Sequence, residues 1–218
     1  MIDNMEFHTR AWMQLLREAG IIVDAHQFHE RSAGKTTTEI IRQFIGDNSS
    51  EAQIIQYSVR KEKLYREIYT PHLKPINGLE KFLKESRELK IPVALATSAR
   101  RNSIDFVLDT LQIRDYFAVT LGAGDVTHSK PHPEMFLTAA QKLGVAPANC
   151  LVFEDSRAGI EAAQNAGMKA VVITTTLKQN ELAMYPHMET FADDFTRLSA
   201  AALSTINSRP AMGGTKKS

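Results

Sequence analysis

Three clusters of polar residues each follow a short apolar run, and each has a composition suited to a charged oxygen ligand. The first is Ala96-Thr97-Ser98-Ala99-Arg100, after Ile91-Pro92-Val93-Ala94-Leu95. A hydroxyl at a strand end, followed by backbone N–H groups entering a helix, can hold a phosphate oxygen. Helix capping is the plainer use of the same residues. The second is Ser129-Lys130-Pro131-His132-Pro133-Glu134. A lysine fixed ahead of Pro131 is a positioned point charge that could neutralise a phosphate or a carboxylate, whereas a lone lysine is usually a solvated surface group. The third is Val152-Phe153-Glu154-Asp155-Ser156. Adjacent carboxylates at the mouth of a buried strand repel each other and need a cation or hydrogen bonds to compensate. Oxygen-only ligands suit Mg²⁺. In the plainer alternative Asp155 caps the next helix and Glu154 faces solvent.

Such clusters matter only if a scaffold brings them together, and open parallel sheets place ligands beyond the carboxyl ends of their strands. The beginning of the chain reads as helices alone. Met5, Trp12, Leu15, Leu16 and Ala19 recur at helical spacing before Gly20. A short helix follows near Ala25 to Arg31. Thr36 and Glu39 form a capping-box pattern. A longer helix spans Glu51 to Tyr69, with Ile54, Ile55, Leu64, Tyr65 and Ile68 on its apolar side, and Pro71 and Pro75 end it. After Gly78, helices alternate with apolar strand runs at 91–96, 117–121, 151–153, 170–174 and 190–192. That alternation predicts an α/β fold: a doubly wound parallel-sheet core over 76–206 with an α-helical cap over 4–75. Residues 207–218 are polar with Pro210, Gly213 and Gly214, the composition of a disordered tail.

The totals exclude several classes of function. The 218 residues, 43% hydrophobic and 23% charged, suit a globular protein with its own core. A net charge of +1 gives no reason to expect nucleic acid or a membrane surface as partner. No apolar run approaches the roughly 20 residues of a spanning helix, and the start of the sequence has no signal-peptide pattern. The single Cys150 allows no intrachain disulfide. A cytoplasmic monomer is expected.

Taken together, hydroxyl, lysine and acid pair, each after a strand, resemble the second, third and fourth motifs of the haloacid dehalogenase superfamily. Ala94-Leu95-Ala96-Thr97-Ser98 resembles motif two and Ser129-Lys130-Pro131-His132-Pro133-Glu134-Met135-Phe136 motif three. Phe153-Glu154-Asp155-Ser156-Arg157-Ala158-Gly159-Ile160-Glu161-Ala162-Ala163 resembles motif four closely. The helical first unit looks like the family's cap. Its His8-Thr9-Arg10-Ala11-Trp12 is similar to a segment of the β-phosphoglucomutase-like branch.

The resemblance implies a Mg²⁺-dependent phosphatase or phosphomutase acting on a small phosphate ester, such as a sugar phosphate. It gives Thr97 and Lys130 catalytic supporting roles, Glu154 and Asp155 to the metal, and Thr97, Ser98, Lys35 and His8 to the substrate. In the complete family enzyme a carboxylate attacks phosphorus to form an aspartyl-phosphate, a second Asp protonates the leaving oxygen, and the cap closes to control water. Both aspartates belong to an Asp-x-Asp-Gly motif at the end of an apolar strand, just upstream of the segment matching Asp3-Asn4-Met5. They fall outside this sequence. Two expectations stand side by side: an enzyme whose first motif precedes Met1, or an inactive remnant that binds Mg²⁺ or phosphate weakly. Without that strand, which the resemblance places between the runs at 92–97 and 151–153, the core should be poorly stable.

Weaker signals remain. Gly34-Lys35-Thr36 mimics the end of a P-loop, but His29 stands where the earlier glycine is required and no strand precedes it. His26 and His29 read as surface histidines, and Cys150 as a small buried residue.

Overall fold

The computed structural model describes residues 1–2, 4–32, 35–175 and 188–205; Asp3, Gly34 and the expected tail 207–218 lie outside them. The chain divides into two compact units, one of residues 2–74 and one of Met1 with residues 75–218.

The first unit is helical: α1 (Met5–Glu18), α2 (Ala25–Ser32), α3 (Thr37–Phe44) and α4 (Glu51–Tyr69). Caps fix where two of these helices start. The Thr36 hydroxyl accepts the Glu39 N–H while the Glu39 carboxylate takes the Thr36 N–H, and Ser50 and Gln53 repeat the exchange ahead of α4. Helices α1 and α4 pack together over buried Ala11, Leu15, Leu16, Leu64 and Tyr65. Ile55, placed by periodicity on the apolar side of α4, is 64% exposed, while Ile54 is buried. Successive residues on a helix point about 100° apart, so only one of the pair can face α1.

The second unit alternates helix and strand: α5 (Leu79–Glu88), β1 (Ala94–Ala96), α6 (Arg101–Thr110), β2 (Val119–Leu121), α7 (Glu134–Leu143), β3 (Leu151–Glu154), α8 (Arg157–Asn165), β4 (Lys169–Ile173), β5 (Met188–Ala192) and α9 (Ala200–Ser204). All pairing is parallel. The run at 91–96 yields a strand of only three residues. Pro92 has no N–H to give to a ladder, although the Val93 carbonyl still accepts the Ala118 N–H at 2.9 Å. Helix α9 follows a stretch too small and polar to announce itself.

Gly78 shows why one position must lack a side chain. Its φ is +80°, and a Cβ there would stand 2.5 Å from the Phe195 carbonyl carbon and the Thr196 nitrogen. The Phe195 N–H is tied to the Asn77 carbonyl at 2.9 Å, so the chain cannot back away.

The strands form two sheets, β1-β2 and β3-β4-β5. Among the described residues, β1 pairs only with β2, and β3 only with β4 on its near side. Between the open edges of β1 and β3 lies a cavity of about 440 Å³, lined by Leu83, Val93, Leu95, Leu151 and Phe153 and reached by Met1. Interiors normally hold few voids larger than a water molecule. Among the described residues the two half-sheets share no backbone ladder. We expect residues 1–218, studied alone, to bind an apolar dye such as anilinonaphthalene sulfonate and to melt with little cooperativity. A sharp calorimetric transition without dye binding would show that the two half-sheets close on each other.

Candidate active site

Lys130 lies on the loop between β2 and α7, and Glu134 shapes that loop. The Glu134 carboxylate, in the first turn of α7, accepts the Thr127 and His128 N–H groups, each at 2.8 Å. These bonds, with the His128 ring, pull its pKa down to about 2. The peptide bond between Lys130 and Pro131 is cis.

From there the Lys130 ammonium reaches the carboxyl ends of both half-sheets. It donates to the Ala96 carbonyl at the end of β1, 3.3 Å away, and pairs with the Glu154 carboxylate at the end of β3. Both side chains of the ion pair are only 9% exposed. The ammonium also sits 4.5 Å from the centre of the Phe136 ring. A buried pair is sustained when further hydrogen bonds satisfy the remaining lone pairs. Glu154 has them: Asp155 N–H at 3.0 Å, Ser156 N–H at 3.1 Å and the Ser156 hydroxyl at 3.0 Å all reach Oε2.

This overturns the plain alternative of a solvated Glu154. Its oxygens serve Lys130 and the turn into α8. Gly159 makes room for it, because a Cβ at that position would overlap the Glu154 carboxylate. Capping falls to Ser156, whose hydroxyl accepts the Gly159 N–H at 3.1 Å. Asp155 does not cap. It accepts the Thr175 hydroxyl at 3.2 Å. The buried Met1 ammonium has Asp155 and Glu154 as its charged neighbours; burial pushes its pKa down while the two carboxylates oppose that.

Thr97 directly follows the Ala96 carbonyl that Lys130 holds. Its N–H donates to the Leu121 carbonyl at 3.0 Å and its hydroxyl accepts the Ala99 N–H at 3.2 Å. Ser98 beside it is exposed. The structure thus gathers Lys130, Glu154 and the start of the Thr97 turn at the strand ends, with Asp155 next to Glu154 in the chain.

His8 and Lys35 belong to the helical unit. The Lys35 ammonium donates to the Gln43 side chain at 2.5 Å, which ties it back onto α3. His8 stacks on Tyr65 with ring centres 4.0 Å apart, and Lys61 donates to its Nδ1 at 2.8 Å. An ammonium has only donors, so Nδ1 accepts from Lys61, and the Asn4 side-chain nitrogen stands 3.5 Å from Nε2. Burial first, and the Lys61 charge second, lower the His8 pKa to about 4. Burial likewise pushes Lys61 down. Lys61 went unnoticed in the sequence, although a lysine in helical step with Leu64, Tyr65 and Ile68 is a readable signal. Cys150 is half-buried, and burial pushes its thiol up.

Residues 1–173 match the family model of haloacid dehalogenase-like hydrolases. The chain belongs to that family. The chloroplastic 5-amino-6-(5-phospho-D-ribitylamino)uracil phosphatase of Arabidopsis thaliana is 28% identical over 173 residues, 79% of this chain and 46% of that protein. The chain thus spans about half of that relative's length. The fructose-1-phosphate phosphatase YqaB of Escherichia coli (strain K12) is 30% identical over 171 residues, covering 78% of this chain and 89% of the relative. Among solved structures, β-phosphoglucomutase from Clostridium difficile superposes with a TM-score of 0.74 at 27% identity, covering 95% of this chain and 92% of the other. The α/β core of this haloacid dehalogenase-like chain is the family's fold.

Two measurements follow from these contacts. Lys130→Met strands a buried Glu154 and should cost about 3–5 kcal/mol in urea unfolding. Pairing it with Glu154→Met should recover most of that loss; an unchanged urea midpoint in the single variant would refute the buried pair. For His8, the fold disfavours protonation, so the unfolded state takes up a proton first as pH falls. Its stabilising effect is complete above 6.5 and is lost as pH drops toward about 4, to a limit of about 3 kcal/mol. His8→Phe should flatten the urea midpoint against pH across that window.

Proposed function

We propose that this chain carries the phosphate- and metal-binding half of a Mg²⁺-dependent enzyme that hydrolyses a small phosphorylated metabolite in the cytoplasm. The observation that carries the reading is the Lys130 ammonium, held at the joined strand ends by Ala96 and Glu154. A fixed cation costs no reorganisation when charge develops on a transferring phosphoryl group. Lys130 would meet that charge, and the Thr97 hydroxyl with the N–H groups after it would take a phosphate oxygen. Asp155 would hold Mg²⁺, which when bound supplies neutralising charge to the phosphoryl oxygens. Glu154 would act through Lys130, as a positioning residue. The attacking carboxylate is not assigned: Asp3, the only acidic residue ahead of α1, is outside the described residues.

The printed activities of the two phosphatase relatives support hydrolysis of small phosphate esters. The β-phosphoglucomutase likeness supports phosphoryl transfer between positions of a sugar as the second reading.

Calorimetric titration of residues 1–218 with inorganic phosphate tests the half-site. Binding should require Mg²⁺, vanish in Asp155→Asn and weaken at least about tenfold, or 1.4 kcal/mol, in Lys130→Arg, which keeps the charge but not its compact shape. Mg²⁺-independent phosphate binding, or an unaffected Asp155→Asn variant, would sink the assignment. Assays with fructose 1-phosphate and hexose 1-phosphates then separate phosphate release from isomerisation. Robust turnover would locate the nucleophile within residues 1–218.

A further inference from the structure

We infer that His128, His132 and Glu134 form a binding site for a transition-metal ion of the Zn²⁺ type, on the loop that carries Lys130 and apart from the oxygen-ligand position at Asp155. Each of the three offers one ligand atom, and these atoms all lie within 4.8 Å of one another. His128 Nδ1 is 2.8 Å from Glu134 Oε2, and His132 Nδ1 is 3.9 Å from the same oxygen. Tetrahedral Zn²⁺ with bonds of about 2.0–2.2 Å requires ligand atoms about 3.4 Å apart. The observed separations bracket that spacing, so modest ring rotations suffice.

The chemistry of the set selects the ion. Two imidazoles and one carboxylate make a ligand set for Zn²⁺ and its neighbours, not for Mg²⁺, which demands oxygen. Three protein ligands leave a fourth position for water. The carboxylate is already aimed: the Thr127 and His128 N–H groups hold it, the outer hydrogen bonds that orient metal ligands elsewhere. Access is open, since the His128 and His132 side chains are 62% and 51% exposed. The two rings lie with centres 4.4 Å apart, on the same side of the loop. His132 Nδ1 accepts the Glu134 N–H at 3.3 Å, so a bound ion would take over a lone pair that is already turned toward Glu134.

The site would staple residue 128 to residue 134 across Lys130. It stands whether or not the phosphatase reading holds, because none of its ligands is placed on the phosphate.

The test is titration of metal-free residues 1–218 with Co²⁺ and Zn²⁺ near neutral pH, with Mg²⁺ in excess to occupy oxygen sites. The expected result is one ion per chain, visible absorption characteristic of tetrahedral Co²⁺, displacement by Zn²⁺ and a rise in melting temperature. His128→Asn and His132→Asn, each checked by circular dichroism for retained helix content, should each weaken binding at least about tenfold. No saturable binding would overturn the inference. So would wild-type affinity in the double variant, which would put the ion elsewhere, for example at His26 and His29.

Discussion

A single buried ion pair organises the strand ends of this protein's core. Lys130 and Glu154 are both almost fully removed from water, where either charge alone would cost several kcal/mol. Each is bearable only with the other in place. The surrounding structure is arranged around that dependence: Glu134 bends the loop that delivers the lysine, the Asp155–Ser156 turn supplies N–H groups to the glutamate, and Gly159 gives up its side chain to leave room. The same ammonium joins the ends of β1 and β3, which share no backbone ladder. Electrostatics thus bridges the place where strand pairing is interrupted.

Much of the architecture was legible in the sequence because its signals are local. The Thr36–Glu39 cap, the stop at Tyr69 and the apolar runs of β3 and β4 are set by near neighbours in the chain. The elements that were misjudged depend on partners distant in sequence. β1 is shorter than its apolar run because Pro92 has no N–H to give to the β1–β2 ladder. Ile55 is exposed because α1 can cover only one face of α4.

The candidate site follows the same division. That Thr97, Lys130 and the acid pair would meet at strand ends was readable from their positions after strands. Which carboxylate would pair with Lys130 was not, since Glu154 and Asp155 are adjacent and chemically alike. The direction of each side chain decides it, and that direction comes from Gly159, Ser156 and Thr175. His128 drew no notice because its meaning depends on a loop that folds back on Glu134, six residues further along the chain.

The two open strand edges also change what protection from solvent means in this core. In a parallel ladder alternate residues present their N–H and C=O to opposite neighbours. On the edges of β1 and β3 that carry no ladder among the described residues, the amides facing outward have no strand partner. Amide hydrogen exchange normally ranks central strands as the slowest part of a fold. Along those edges the ranking should invert: the amides of β4, paired on both sides, would hold their hydrogens longest, while those facing the seam would exchange without breaking a ladder bond. The middle of the protein would report itself, by isotope exchange, as an edge.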